Sequence, residues 1–491
     1  MAENLKVLFL SSEVMPFAKT GGLADVAGSL PIAIKRAGVD VRLVIPFYRA
    51  IKEVACENHM IIRDIEIPFG ERLLKANIFE SLMGADIPVY LVEREDMFDR
   101  PNLYGNSKGD YYDNLERFSF FAHSSLKIAQ RLGFAPDIIH CHDWQTGLVP
   151  ALLKGPYKKS NGFSNTATVF TIHNIGYQGI FPPEKLAATG LSGPQYFHPE
   201  GLEFWGNISL LKAGIVYSDI ITTVSPTYAK EILAHEYGLG MEGVVMGRSK
   251  SLYGILNGID YNEWDPSKDI HIAACYSRKT IIGKKKCKES LIREIGFDNS
   301  MIDKPLIGMV SRLDNQKGLD ILLQGMKNML NLDTGLVIVG SGDEEIENKL
   351  KIAADQYPGR MSIHAGFNNP LAHRIMAGAD ILLVPSRYEP CGLTQMYALK
   401  YGTVPVVRAT GGLNDTIEQY DEKTTNGNGF KFGPHDSEAL FKAITKAVDL
   451  FKDKKSWKRL MTKGMRSDFS WDRSAEKYID IYESVRHPLI S

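Results

Sequence analysis

Short apolar runs alternate with amphipathic stretches along nearly the whole chain. Val7–Leu10, Val41–Ile45, Val89–Val92, Ile138–Ile139, Thr168–Thr171 and Ile220–Val224 read as buried strands. Leu23–Ala37 and Leu115–Leu132 carry apolar residues at helical spacing. A second series begins later, with strands at Leu306–Val310, Gly335–Val339, Met361–His364, Ile381–Val384 and Val404–Val407. Helices are predicted between these at Asp320–Leu330, Asp343–Asp355, Leu371–Gly378 and Leu393–Tyr401. Continuous apolar strands alternating with helices predict α/β architecture with parallel, doubly wound sheets. Asn-Gly and Asp-Pro turn signals within Asn257–Pro266 mark the boundary between the series. The expected division is therefore 1–260 and 261–491, two Rossmann-like domains whose tandem arrangement implies a cleft between them.

The 491 residues suit two or three domains, and 44% hydrophobic with 23% charged residues is an ordinary globular balance. A formal net charge of −1 provides no overall basic field, which argues against nucleic acid or an anionic membrane as partner. An anionic substrate would need local positive charge. Five scattered cysteines, at 56, 141, 275, 287 and 391, fit a reducing compartment better than a disulfide framework. The opening Met-Ala-Glu-Asn-Leu-Lys and the short run Val7–Leu10 do not resemble a signal peptide, and no apolar run approaches the ~20 residues of a spanning helix. The expected location is the cytoplasm.

Candidate chemistry gathers where strands end. Ala18-Lys19-Thr20-Gly21-Gly22-Leu23-Ala24-Asp25 follows the first strand, with a lysine suited to phosphate and glycines that admit close approach. It is neither a Walker loop nor the Gly-x-Gly-x-x-Gly of a dinucleotide fold. The second series opens in a similar way, with Ser311, Lys317, Gly318, Leu319 and Asp320 echoing Ser11, Lys19, Gly22, Leu23 and Asp25. Both loops follow the carboxyl end of a first strand, where open α/β sheets bind ligands. Arg312 and Lys317 together could clamp a diphosphate, although a solvated loop would look the same. Val339-Gly340-Ser341-Gly342-Asp343 tempts a dinucleotide reading, but Glu345 stands where a third glycine belongs, so a structural turn is expected.

His140-Cys141-His142-Asp143-Trp144 and Thr171-Ile172-His173-Asn174 end strands in polar groups. Two histidines on one strand face could bind metal, yet nothing completes the ligand set, and hydrogen-bonded histidines are the expectation. Pro385-Ser386-Arg387-Tyr388-Glu389-Pro390-Cys391-Gly392-Leu393-Thr394 places Glu389 in a proline-restricted loop before a helix. The amides of Gly392, Leu393 and Thr394 would face an anion. Cys391 lacks the base and orienter that a nucleophile needs.

In this order the segments Lys-Thr-Gly-Gly-Leu-Ala-Asp, His-Asp-Trp, Thr-x-His-Asn, Asn-Gly-x-Asp at 257–260, Ser-Arg-x-x-x-Gln-Lys-Gly and Glu-Pro-Cys-Gly-Leu-Thr resemble the bacterial and plant glycogen (starch) synthase family. The resemblance runs from residue 7 to about 470. It implies the GT-B glycosyltransferase fold, with two Rossmann-like domains facing a cleft. It also implies retaining, cofactor-free and metal-independent transfer of glucose from ADP-glucose to an α-1,4-glucan. Glu389, Arg312, Lys317, His173 and Asp143 look catalytic. Lys19, Gly21, Gly22, Asn257, Cys391, Gly392, Leu393 and Thr394 look like donor-side residues, and Asp25, Tyr104 and Asn106 like acceptor-side residues. The first domain would hold the glucan and the second the ADP-glucose. Lys19 and Lys317 would meet one diphosphate on closure, and a last helix at about 471–485 would pack back on the first domain. Gln145 stands where the family commonly has histidine, a change expected to tune the acceptor side. The Lys-x-Gly-Gly-Leu form resembles the ADP-glucose branch. A UDP-sugar enzyme of the same fold, a phosphorylase and a catalytically silent glucan-binding protein are the alternatives. No segment resembles a pyridoxal-phosphate lysine site, and binding alone needs no diphosphate clamp.

Overall fold

Strand β1 (Lys6–Leu10) has four consecutive buried residues, because its sheet is covered on both faces. The computed structural model describes residues 5–53, 57–84, 86–106 and 108–486. The N-terminal Met-Ala-Glu-Asn and Cys56 lie outside these. The chain divides into two units, one running to Gly258 and resuming at Trp471, the other comprising Ile259–Ser470.

In the first unit β1, β2 (Asp40–Pro46), β3 (His59–Phe69), β4 (Arg72–Met83) and β5 (Ile87–Glu93) are followed by the short pair β6 (Gly105–Asn106) and β7 (Gly109–Asp110). Then come β8 (Ile138–His142), β9 (Ala167–Ile172), β10 (Ile180–Phe181), β11 (Glu203–Phe204), β12 (Asn207–Ser209), β13 (Ile220–Thr223) and β14 (Leu252–Gly254). The main sheet has the order β14-β13-β9-β8-β1-β2-β5-β4-β3. It is parallel except where β4 pairs antiparallel with β3 and β5. The long β3–β4 hairpin was not anticipated, because its partly exposed residues do not form an apolar run. A small second sheet, β10-β12-β11, sits beyond β9 in sequence. The C-terminal helix Trp471–Arg486 buries Trp471, Ser474, Ala475, Tyr478, Ile481 and Tyr482, and packs against the helix Gly22–Arg36.

The second unit holds β15 (Leu306–Val310), β16 (Gly335–Gly340), β17 (Met361–Ala365), β18 (Ile381–Val384), β19 (Val404–Arg408) and β20 (Phe430–Phe432), all parallel, in the order β17-β16-β15-β18-β19-β20. Its core includes Ile307, Met309, Leu322, Leu336, Ile338, Val406 and Ile444. Both sheets reverse their strand order once near the middle, between β1 and β8 in the first unit and between β15 and β18 in the second. Such switch points open a crevice at the carboxyl ends of the strands. Among the described residues no helix is long and apolar enough to cross a membrane.

Candidate active site

The loop after β1 is organised by a residue that the motif reading passed over. The buried Glu13 carboxylate accepts the Thr20 amide at 2.6 Å, the Thr20 hydroxyl at 2.6 Å, the Gly21 amide at 3.0 Å and the Tyr104 hydroxyl at 2.8 Å. Tyr104 also hydrogen-bonds Ser12 Oγ at 2.7 Å. An acid next to a glycine-rich loop carries no sequence signal of its own; only the turn from Glu13 back to Thr20 makes it the hub. Lys19 and Asp25 pair at 2.6 Å at the start of the helix Gly22–Arg36. A Cβ on Gly21 or Gly22 would meet nothing within 4 Å, so protein packing does not require these glycines. Asn106 is exposed in the β6–β7 hairpin, where its Oδ1 accepts the Lys108 amide.

Across the switch point, β8 ends in three polar groups. His140 Nδ1 faces the Tyr482 hydroxyl at 2.7 Å and Nε2 faces Thr171 Oγ1 at 2.6 Å, so both ring nitrogens are engaged by protein. Tyr482 comes from the C-terminal helix. His142 Nδ1 lies 2.9 Å from His173 Nε2. Asp143 adopts φ 54°, uncommon for a residue with a Cβ. Its carboxylate accepts the His173 amide at 2.7 Å. Burial pushes the Asp143 carboxyl up to about 7, and burial drives His173 down to about 3. His140 and His142 are also pushed well below the usual histidine range by burial. The three histidines are therefore uncharged at neutral pH, where Asp143 is in mid-titration. Buried Gln145 Oε1 and Asn257 Oδ1 have no partner among the described residues. Ser474 of the C-terminal helix donates to Leu256 O at 2.6 Å, fixing the backbone beside Asn257.

In the second unit the loops after β15 and β18 are laced together. Arg312 pairs with Asp314 at 3.1 Å and bonds Gln316 Oε1 at 3.1 Å. Gln316 donates to Tyr388 O at 3.2 Å, and Arg387 N donates to Gln316 O at 2.8 Å. Lys317 Nζ lies 2.7 Å from Glu389 Oε2, which also accepts Ser386 Oγ at 2.9 Å. Gly318 has φ +71°, and a Cβ there would stand 2.0 Å from Pro385 O, so only glycine fits. The loop after β19 supports Glu389 from beneath: Gly412 N donates to Glu389 O at 3.1 Å, and a Cβ on Gly411 would stand 1.9 Å from that oxygen. The Gly411-Gly412 pair was also missed, since paired glycines at a strand end do not reveal which backbone they approach. Cys391 is buried. The helix beyond begins at Thr394, one residue later than expected, after Gly392 at φ +70°. The Gly340–Asp343 turn is structural: Cβ atoms on Gly340 and Gly342 would stand 1.8 Å from Ser311 O and 2.3 Å from Leu313 O, and Asp343 caps the following helix.

Known proteins match both units. The starch synthase catalytic domain profile matches residues 6–247, and that of glycosyl transferases group 1 matches 293–463. The chain is 44% identical to the glycogen synthase of Koribacter versatilis, over 98% of each protein. It is 45% identical to that of Desulforudis audaxviator, over 98% of this chain and 96% of that one. The catalytic domain of starch synthase IV from Arabidopsis thaliana, solved bound to ADP and acarbose, aligns with a TM-score of 0.92 at 33% identity, covering 99% of this chain and 100% of that one. Sucrose-phosphate synthase from Thermosynechococcus elongatus, 17% identical, shares the fold at a TM-score of 0.59 over 98% and 99% of the two chains. Identity at this level over nearly the full length, on two sheets that each carry polar loops at their switch point, makes this chain a member of the glycogen and starch synthase family of GT-B glycosyltransferases.

Proposed function

We propose that the glucosyl transfer of this family runs here from ADP-glucose to the non-reducing end of an α-1,4-glucan, with retention at the anomeric carbon and without a metal ion. The observation that carries this reading is the fixed cluster of Arg312, Lys317 and Glu389 at the second unit's switch point. Breaking the anomeric bond leaves negative charge on the β-phosphate of ADP. Preorganised cations there stabilise it without reorganisation at the moment of reaction. Lys317 can bridge that phosphate and Glu389, whose carboxylate faces the side where the sugar gains positive charge. The amides of Gly392, Leu393 and Thr394 add donors. Phe367, 83% exposed in the loop after β17, offers a flat face for the adenine ring.

In the first unit, the open space over Gly21 and Gly22 lets an oxyanion approach the backbone beside Lys19. Uncharged His173 and the buried Asp143 carboxyl are suited to bonding sugar hydroxyls, and Asn257 Oδ1 can accept one more. Asp25, Tyr104 and Asn106 serve the glucan. The few, scattered cysteines of the sequence support a reducing, cytoplasmic setting.

The test is glucose incorporation into glycogen from ADP-glucose and UDP-glucose side by side, with and without EDTA. A strong ADP-glucose preference that survives chelation is expected, by virtue of the Lys19-Gly21-Gly22 loop. Equal turnover with UDP-glucose sinks the donor assignment. Loss of activity in EDTA that magnesium or manganese restores sinks the metal-free mechanism.

A further inference from the structure

Six non-glycine residues among those described have positive φ, and two of them are large and apolar: Trp205 at φ 49° and Leu239 at φ 50°. Both are exposed, at 81% and 48%. Trp205 and Gly206 form the two-residue loop between β11 and β12, with Gly206 at φ 79°. Two positive φ values in succession are those of a type I′ hairpin turn, whose first position favours asparagine, aspartate or glycine. A tryptophan there adopts a strained backbone and exposes an aromatic face, so neither local stability nor core packing explains it.

The two residues adjoin. A Cβ on Gly240, next to Leu239, would stand 3.5 Å from Phe204 Cζ and 3.9 Å from Trp205 Nε1. Gln178 Nε2 donates to Leu239 O at 3.0 Å, and Ser209 Oγ at the end of the hairpin donates to Gln178 O at 3.0 Å. Gln178 belongs to the segment that runs from His173 through the half-exposed Tyr177 to β10, where Phe181 lies 5.7 Å in ring centroids from Trp144. One hydrogen-bonded stretch thus connects the His173–Asp143 cluster with the Trp205 hairpin inside the first unit.

We propose that Trp205, with Leu239 beside it, is a stacking platform for distal glucose units of the polymeric acceptor. The proposal rests on the glucan reading above. The face of a glucose ring presents C–H groups. An aromatic face attracts them through its negative quadrupole and excludes water as it does so. An exposed aromatic and aliphatic pair held by strained turns matches that chemistry.

The test uses Trp205→Asn, which removes the ring and leaves Asn-Gly, a preferred I′ pair, so the hairpin is retained. KM for glycogen should rise roughly fivefold, the scale of one lost stacking contact, while turnover of maltotriose is unchanged. Retention in glycogen-containing native gels should fall, and Trp205→Tyr should restore most of it. Unchanged KM and retention in Trp205→Asn overturn the platform. So does an equal loss with maltotriose and glycogen, which would put Trp205 in the reacting site or the fold. A lost self-association with unaltered glucan affinity overturns it too, assigning the patch to a second copy of the chain. A wild-type protein that transfers glucose to no glucan overturns the underlying functional reading instead, and this control is read before any variant.

Discussion

Lys317 Nζ donates to Glu389 Oε2 at 2.7 Å across the switch point of the second sheet, joining the loop after β15 to the loop after β18. Neither side chain is placed independently. Ser386, on the same loop as Glu389, bonds the same carboxylate oxygen and narrows its choice of rotamer. A charge that arrives already oriented costs no reorganisation when the leaving group departs.

Removing either cation should therefore reduce kcat far more than folding. Lys317→Ala and Arg312→Ala are each expected to lower kcat by roughly 10²–10³, the scale for one preorganised donor. Steady-state kinetics beside a thermal melt measures this. A folded Lys317→Ala enzyme at near wild-type rate would put the diphosphate elsewhere.

Gly318→Ala tests the lacing between the two loops. The new Cβ would press on Pro385 O at a backbone angle alanine resists. A loss of about 2–4 kcal/mol in urea unfolding is expected, with activity falling as Lys317 is displaced. Unchanged stability and rate would show that the loops move apart freely.

Burial of Asp143 gives a pH signature. Burial pushes its folded carboxyl up to about 7, well above the ordinary aspartate range, so between the two the folded state holds a proton that the unfolded state has released. Stability from this group is full below the unfolded value and is lost as pH rises toward 7. Asp143→Asn cannot ionise and keeps an acceptor for the His173 amide. Relative to wild type it should gain stability between pH 4 and 7 and hold the gain above 7. Parallel stability curves for the two proteins across that range would contradict the burial account.

Cys391 separates site shape from thiol chemistry. Its carbonyl accepts Gln395 Nε2 at 3.2 Å and its side chain is buried, two residues after Glu389. Cys391→Ser should keep measurable activity, since serine nearly preserves the side chain's volume. A folded Cys391→Ser protein that binds ADP yet turns over nothing would point to a covalent cysteine role.

Much of the architecture could be read locally. Leu306–Val310 and Ile381–Val384 are strands with the predicted bounds, because a strand buried on both faces is a continuous apolar run. The β3–β4 hairpin and the small β10-β12-β11 sheet were missed, because partly exposed and two-residue strands leave no such run. The site motifs were legible as polar residues at strand ends, where an open sheet presents loops to a ligand.

Partnership is what the linear pattern withheld. Glu13 becomes a hub only when the chain turns back to Thr20 and meets Tyr104, 91 residues away. His140 finds Tyr482 across 342 residues. Gly318 and Gly411 are obligatory because of the carbonyls of Pro385 and Glu389, which neither local motif names. Trp205 looks like one more aromatic residue until the turn gives it a positive φ and leaves it exposed. Which residue types stand at the strand ends is legible along the chain, because hydrophobic periodicity is a local property. Which of them touch emerges from the folded chain alone, because hydrogen bonds and steric exclusion depend on distances that strand order and chain reversal set.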